Sequence, residues 1–192
     1  MIERKSILEA ALLAAGRPLT IRDLQRLFAE DPAPPDAAAL RADLEALAAE
    51  CEGRGYELVE VASGWRYQVR KELGHWVLRL WEEKPPRLSR ALLETLALIV
   101  YRQPITRAEI EQVRGVSVSS NIIRTLEELE WIRVVGHKEA PGRPALYAST
   151  RKFLDDFNLR SLSDLPSLAE FTEDAEVVQL PLPEVRGDAE GS

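Results

Sequence analysis

Cysteine, histidine and long apolar runs are scarce or missing in this sequence of 192 residues. Cys51 is the only cysteine, so an intrachain disulfide is impossible and a reducing compartment is expected. The two histidines, His75 and His137, lie far apart in the chain. No apolar run approaches the roughly 20 residues that a helix needs to span a bilayer. We therefore expect no membrane segment, and a cytoplasmic protein.

Basic residues are in the minority. The chain has 25 Lys and Arg against 32 Asp and Glu, for a net charge of −7. A protein that coats nucleic acid needs clustered Lys and Arg to neutralise phosphates, so this balance disfavours such a role.

The motifs of catalysis and cofactor binding are missing as well. The sequence has no glycine-rich phosphate loop, no His-x-x-x-His pair and no cysteine cluster. A hydrolase would need a concave polar pocket that nothing in the sequence predicts. We therefore predict no catalytic residues, no metal, no cofactor and no small-molecule substrate, and a protein that is not an enzyme.

What the sequence does contain is an internal repeat. Residues 16–24, GRPLTIRDL, are echoed by residues 102–110, RQPITRAEI. In each copy a proline fixes a turn and a threonine, Thr20 or Thr106, caps the next helix. An acidic residue three positions after the threonine can complete a capping box. The two segments therefore predict equivalent corners of a duplicated unit.

The order of elements is the same in both copies. A third helical pattern follows the corner, at 37–50 in the first copy and around 122–129 in the second. A hairpin then follows in each copy, with strands predicted at 56–61 and 65–69 and at 132–135 and 145–148. A closing helix begins at Lys71 or Arg151. This order predicts a mainly α protein with small β-hairpins, an α+β fold of two tandem winged-helix domains.

The domain boundaries are predicted from prolines and composition. Two prolines at 85 and 86 stop the preceding helix. We therefore expect an N-terminal winged-helix domain at 1–84 and a C-terminal one at 87–165. Residues 166–192 are acidic and poor in helix signals, which predicts a disordered tail, although residues 177–180 could form a short docking strand.

A winged helix raises the alternative of a DNA-binding transcription regulator. Its third helix would need a basic exposed face, but both predicted third helices are rich in carboxylates. Lys138 and Arg143 in the predicted second wing are the strongest sign of a backbone contact. The other interpretation is a rigid turn in which Arg143 pairs with a carboxylate. We expect DNA contact to be at most indirect.

The closing helix of the first domain carries an apolar stripe with two tryptophans. A unit of ~80 residues rarely has room to bury both rings. We therefore predict a homodimer contact, with both rings internal as the alternative. The candidate residues are Leu8, Leu12, Trp76, Leu80 and Trp81.

The first helix of the second domain, at 91–101, is apolar on nearly all sides. Such a helix is either wholly buried or keeps one face for a partner. Tyr101, Arg102 and Gln103 project polar groups at its end, and an acidic or amphipathic partner helix would suit this slightly basic domain.

The second copy also carries a dense, ordered set of motifs between about residues 88 and 168. They include Leu88-Ser89-Arg90-Ala91, Glu94-Thr95-Leu96, the segment 101–110, Arg114-Gly115-Val116, Arg124-Thr125-Leu126, Trp131-Ile132, the segment 142–147 and the ending 153–166. Together they closely resemble the family of segregation and condensation protein B. Residues 1–84 resemble the family only in pattern and position.

The resemblance implies a winged-helix pair that dimerises through its N-terminal domain. It also implies binding to the kleisin, segregation and condensation protein A, which bridges the heads of an SMC ATPase. That assembly compacts and separates bacterial chromosomes, so the chain would be a nucleoid-associated accessory subunit without an ATPase of its own. The candidate kleisin contacts, carried over by motif, are Tyr101, Arg102, Gln103, Arg107, Glu111 and Arg114. Pro104, Thr106, Glu109 and Gly115 are expected to have structural roles instead.

Overall fold

A computed structural model describes residues 3–80 and 88–166, which fall into two compact units. The first unit consists of residues 3–80 together with 157–166, and the second of residues 88–156. Trp81, the boundary prolines and the tail from residue 167 lie outside the described residues. Within the described ranges, no helix is long and apolar enough to cross a membrane.

Three helices open the first unit. They are α1 at Arg4–Ala15, α2 at Ile21–Arg26 and α3 at Ala37–Glu50. Gly16 ends α1 in the left-handed region, with φ 61°, which a glycine adopts without steric cost. Thr20 and Asp23 form the predicted capping box at the start of α2. Asp36 caps α3 by accepting a hydrogen bond from the amide of Ala39.

A two-stranded hairpin follows, with β1 at Tyr56–Val61 and β2 at Gly64–Val69. Leu19 adds a third, single-residue strand, because its amide and carbonyl exchange two 2.9 Å hydrogen bonds with Trp65. Gly64 makes this approach possible. It has φ 130°, and a Cβ at this position would lie 2.2 Å from the carbonyl oxygen of Leu19.

The core of the first unit lies between its three helices and the hairpin. It is formed by Leu8, Leu12, Leu19, Leu24, Phe28, Leu40, Leu44, Leu47, Cys51, Leu58 and Trp65. The apolar positions recur at helical spacing, which directs one face of α1 and one face of α3 inwards.

The closing segment of the first unit differs from the predicted continuous helix. It consists of a 3-10 turn at Lys71–Leu73, α4 at Gly74–Val77 and a second 3-10 turn at Leu78–Leu80. None of the residues 71–80 is buried. A helix this short depends on tertiary packing for its stability, and Gly74 weakens it further, so the segment breaks into single turns.

The first unit also includes residues 157–166, although the sequence predicted 157–165 at the end of the second domain and 166 at the start of the tail. The carbonyl of Leu159 accepts a 2.9 Å hydrogen bond from the amide of Ala62. Asn158, with φ 56° in the left-handed region, turns the chain just after α8 of the second unit. This assignment rests on contacts between residues distant in sequence, which local patterns do not reveal.

The second unit repeats the same order of elements. Its helices are α5 at Arg90–Arg102, α6 at Arg107–Arg114, α7 at Ser120–Glu128 and α8 at Arg151–Asp156. Its strands are β3 at Ile105–Thr106, β4 at Ile132–His137 and β5 at Ala145–Ser149. They form an antiparallel sheet in the order β3-β5-β4, with a register shift between Val134 and Gly136.

Most of the apolar side chains of α5 are buried in the core of the second unit. The buried residues are Leu92, Leu96, Ile99, Val100, Ile105, Ile110, Val118, Ile123, Leu126, Trp131, Ile132 and Phe153. Leu93 and Leu98 are half-buried, so α5 belongs to the domain interior. Trp131 donates from Nε1 to Asp156 at 2.8 Å, which satisfies its polar atom inside the core.

The duplication is visible in backbone pairing. Leu19 pairs with Trp65 in the first unit, and Ile105 pairs with Tyr147 in the second. Thr106 forms the second predicted capping box, at the start of α6. The α+β fold of two tandem winged helices is therefore confirmed.

Candidate protein-binding surfaces

The corner between α5 and α6 is built around Thr106 and Glu109. The amide and hydroxyl of Thr106 donate to Oε2 of Glu109 at 2.9 and 2.7 Å. Lys138, from the wing between β4 and β5, donates to Oε1 of Glu109 at 2.6 Å. The ammonium of Lys138, followed by the two bonds from Thr106, lowers the pKa of Glu109 to about 2. The structural roles predicted for Thr106 and Glu109 are confirmed, and Lys138 is engaged within the domain.

Gln103 joins the end of α5 to β5. Its Oε1 accepts from the amide of Ser149 at 2.7 Å and from the Ser149 hydroxyl at 3.0 Å. Its Nε2 donates to the carbonyl of Val100 at 2.9 Å. These three bonds position the helix end against the sheet, a role that the family motif alone did not reveal.

Arg107 and Glu111 hold the connection between α6 and α7. Arg107 donates from Nε to Glu111 at 3.1 Å, from Nη1 to the Ser120 hydroxyl at 2.9 Å and from Nη2 to the carbonyl of Val118. Oε1 of Glu111 also accepts from the amide of Val118 at 2.8 Å. The amide of Val118 and then Arg107 lower the pKa of Glu111. Both side chains therefore fix where α7 begins.

Arg114 connects α6 to α5. Its side chain is only 10% exposed. Nη1 donates to the Thr95 hydroxyl at 3.3 Å and Nη2 to Glu94 at 3.0 Å. Glu94 also accepts from Arg90, and the pKa of Glu94 is lowered by Arg90 and then by Arg114. Arg114 has little surface left for an external partner.

The remaining exposed groups define a smaller surface on the second unit. Arg102 is exposed at the end of α5, and Tyr101 is half-buried beside it. Val113 and Val116 are 44% and 57% exposed on either side of Gly115, whose φ of 70° ends α6. We call Val113 and Val116 the α6-end surface. Neither valine was among the predicted contacts, although Val116 belongs to the family motif Arg114-Gly115-Val116 and Val113 directly precedes it.

Among residues 3–80 and 88–166, no carboxylate pairs with Arg143, which differs from the interpretation of a rigid turn held by such a pair. Arg143 is exposed with φ 39°, and its amide donates to the carbonyl of Ala140 at 2.8 Å. Within the described wing, the residue that pairs with a carboxylate is Lys138, whose partner is Glu109. Lys138 is next to β4 and can reach Glu109, whereas Arg143 lies at the tip of the turn.

The arginines of both third helices are paired with carboxylates. Arg41 on α3 lies 3.0 Å from Glu60 on β1, and Arg124 on α7 lies 2.7 Å from Glu128 on the same helix. These pairs offset the positive charge that a third helix would present to phosphates.

Burial in the first unit contradicts part of the predicted dimer contact. Leu8 and Leu12 are 0% and 4% exposed, because the i, i+4 spacing on α1 directs both into the domain's own core. The prediction is therefore wrong for these two residues. Trp76 and Leu80 are 57% and 78% exposed, so the alternative of an internal ring is wrong for Trp76.

Trp76 and Leu80 belong to a wider apolar surface. We call Leu73, Trp76, Leu78 and Leu80 the closing-segment surface, since all four are exposed at more than a third of their area. The guanidinium carbon of Arg79 lies 4.4 Å from the ring centroid of Trp76, a cation–π contact. The ring centroid of His75 lies 4.9 Å from that of Trp76.

The part of the chain that the structure describes contains no group of side chains suited to bind a metal ion. Over residues 3–80 and 88–166, no three His, Cys, Asp or Glu side chains are grouped so that they could hold an ion. Cys51 is buried, and its Sγ lies 3.2 Å from the carbonyl of Leu47.

The fold and its exposed features define a tandem winged-helix protein. The sequence profile of the family described as segregation and condensation complex subunit ScpB matches residues 6–168. The chain belongs to this family. Because the members of this family are described as subunits of that complex, the chain has a role in chromosome segregation and condensation.

Two named relatives agree with this assignment. The chain is 52% identical over 172 residues to a segregation and condensation protein B homolog of Coxiella burnetii, covering 90% of this chain and 82% of the relative. It is 48% identical to segregation and condensation protein B of Syntrophotalea carbinolica, covering 90% and 85%. A crystal structure of ScpB from Mycobacterium tuberculosis shares 35% identity, covers 80% and 93% of the two chains and has a TM-score of 0.37.

Proposed function

We propose that the chain is a non-catalytic accessory subunit of the SMC complex that works by binding other proteins. It pairs with a second copy through its first winged-helix domain and binds the kleisin through its second. The observation that carries the proposal is the pairing of both third-helix arginines with carboxylates, while apolar side chains stay exposed elsewhere on each unit. This distribution suits protein contacts better than phosphate contacts.

The closing-segment surface is the proposed homodimer contact. Its four side chains contribute apolar area that water covers in the isolated chain, and Trp76 supplies a large ring of the kind that dominates interface energetics. A two-fold dimer places the same patch of both copies in contact, so one surface is sufficient.

A single introduced charge tests this contact. Leu80→Glu places a carboxylate in the proposed interface, and we expect the dimer dissociation constant to rise at least about tenfold by analytical ultracentrifugation. Leu27→Glu is the matched control, because Leu27 is 47% exposed on another part of the same unit. A parent chain that sediments as a monomer at high concentration, or equal effects of the two variants, would contradict the proposal.

The kleisin is proposed to bind the second domain at the α6-end surface and at Tyr101 and Arg102. The α6-end surface offers exposed apolar contacts, and Arg102 offers a positive charge to an acidic or amphipathic segment. Gln103, Arg107, Glu111 and Arg114 support these contacts indirectly, because their bonds position α5, α6 and the start of α7.

Pull-down with the kleisin encoded in the same genome tests this second contact. Val113→Glu is expected to weaken kleisin binding at least about tenfold, because it buries a carboxylate against an apolar or acidic partner. Val135→Glu is the control, since Val135 is 46% exposed on β4, compared with 44% for Val113. Unchanged binding of Val113→Glu would exclude the α6-end surface, and failure of the parent to retain the kleisin would exclude the proposed function.

A further inference from the structure

Residues 157–165, which we call the strap, dock on the hairpin of the first unit. The carbonyl of Leu159 accepts a 2.9 Å hydrogen bond from the amide of Ala62, which lies in the turn between β1 and β2. Oδ1 of Asn158 accepts a 2.9 Å hydrogen bond from Nη2 of Arg66 on β2. One backbone and one side-chain bond therefore join the strap to the same hairpin.

The strap holds its own shape through local bonds. The amide and Nε of Arg160 both donate to Oδ2 of Asp164, at 2.9 and 3.2 Å. The hydroxyl of Ser161 caps the 3-10 turn at Leu162–Asp164 by accepting from the amide of Ser163. These bonds lie within the strap and involve no residue of the hairpin.

Its attachment is shallow. None of the residues 157–166 is buried, and Leu159 is only half-buried. Segments with few buried apolar contacts open at a free energy far below that of global unfolding.

We infer that the strap is a releasable latch of the first domain. The second unit consists of residues 88–156, so the chain leaves the first unit before it and returns to the first unit at Phe157. While the strap is docked, the chain that follows α8 is held on the hairpin of the first unit. Its release frees residues 157–165 while the rest of the first unit stays folded. This inference is independent of the proposed kleisin and dimer contacts.

Residue-specific amide hydrogen exchange of the full chain tests the latch. The reporter is the Ala62 amide, and the reference is the Trp65 amide, which donates to Leu19 inside the same domain. Asn158→Gly keeps the left-handed backbone accessible but removes the acceptor for Arg66, so Ala62 should exchange about fivefold faster while Trp65 is unchanged. Asn158→Asp keeps an acceptor oxygen and tolerates the same backbone region, so Ala62 should retain the parent rate.

Two results would overturn the inference. If Ala62 in the parent exchanges as fast as a free peptide amide, the strap is not docked. If Asn158→Gly accelerates Ala62 and Trp65 equally, the strap opens only when the whole domain unfolds.

Discussion

At the scale of single residues, Glu109 links the stability of the second domain to pH. Its pKa is lowered from the ordinary 4.5 to about 2 by Lys138 and Thr106. Ionised Glu109 therefore stabilises the folded state above about pH 4.5, and this contribution is lost as the pH falls towards 2. The stability difference between the parent and Glu109→Gln should shrink in urea titrations run from about pH 6 down to about pH 2.

A neighbouring glutamate provides a control for the substitution itself. Glu139 is exposed on the same wing, so Glu139→Gln should change the free energy of unfolding at neutral pH by less than about 0.5 kcal/mol. A constant difference between the parent and Glu109→Gln over the whole range would show that the bonds to Thr106 and Lys138 do not favour the ionised form.

Substitutions of two arginines in the family motif distinguish a structural role from a surface role. Arg114→Leu removes the bonds to Thr95 and Glu94 and should lower the free energy of unfolding by about 2 kcal/mol. Arg102→Ala, at an exposed helix end, should change it by less than about 0.5 kcal/mol. Urea denaturation measures both values, and equal effects would contradict the assignment of Arg114 to the domain interior.

At the scale of elements, Gly64 decides whether the first hairpin can meet Leu19. A Cβ at Gly64 would lie 2.2 Å from the Leu19 carbonyl oxygen, and the φ of 130° is strained for other residues. We expect Gly64→Ala to destabilise the chain by more than about 3 kcal/mol. Thermal unfolding followed by circular dichroism measures the change.

Gly74→Ala is the matched control for this substitution. Gly74 has helical dihedrals, φ −54° and ψ −42°, and a Cβ there would meet no atom within 4 Å. Gly74→Ala should therefore leave stability unchanged or raise it by about 0.5 kcal/mol. Equal losses for both variants would show that the approach of Leu19 is not the cause.

Elements specified by local signals could be predicted from the sequence. The capping boxes at Thr20 and Thr106 and the bounds of α3 follow from residues a few positions apart, and the structure confirms them. The closing segment after Lys71 could not be predicted in the same way. Its apolar stripe has helical spacing, but a short helix forms only where other elements cover it.

The candidate surfaces show the same limit. Leu8 and Trp76 are both apolar, and spacing alone does not tell which one the domain covers. The family motif identified Gln103 and Arg114, but their roles depend on Ser149 and Thr95, which are distant in sequence. The docking of residues 157–165 is also a long-range contact, so no local pattern indicates it.

At the scale of the whole molecule, the chain keeps a fold that often reads DNA while its charges oppose that use. The net charge is −7, and Arg41 and Arg124 are paired with carboxylates on the two third helices. We predict that the parent chain does not retard a short DNA duplex at about 0.15 M salt.

A charge reversal on α7 makes this prediction decisive. Glu127→Lys with Glu128→Lys frees Arg124 from its carboxylate partner and adds two ammonium groups to the exposed face of the helix. Because each phosphate contact releases counterions, this variant should bind the duplex at low salt and lose it steeply as salt rises. Duplex binding by this variant but not by the parent would show that the carboxylates of α7 keep this helix from phosphates. If the parent already retards the duplex with a similar salt slope, then the carboxylates of α7 do not keep it from DNA, and a DNA-reading role returns.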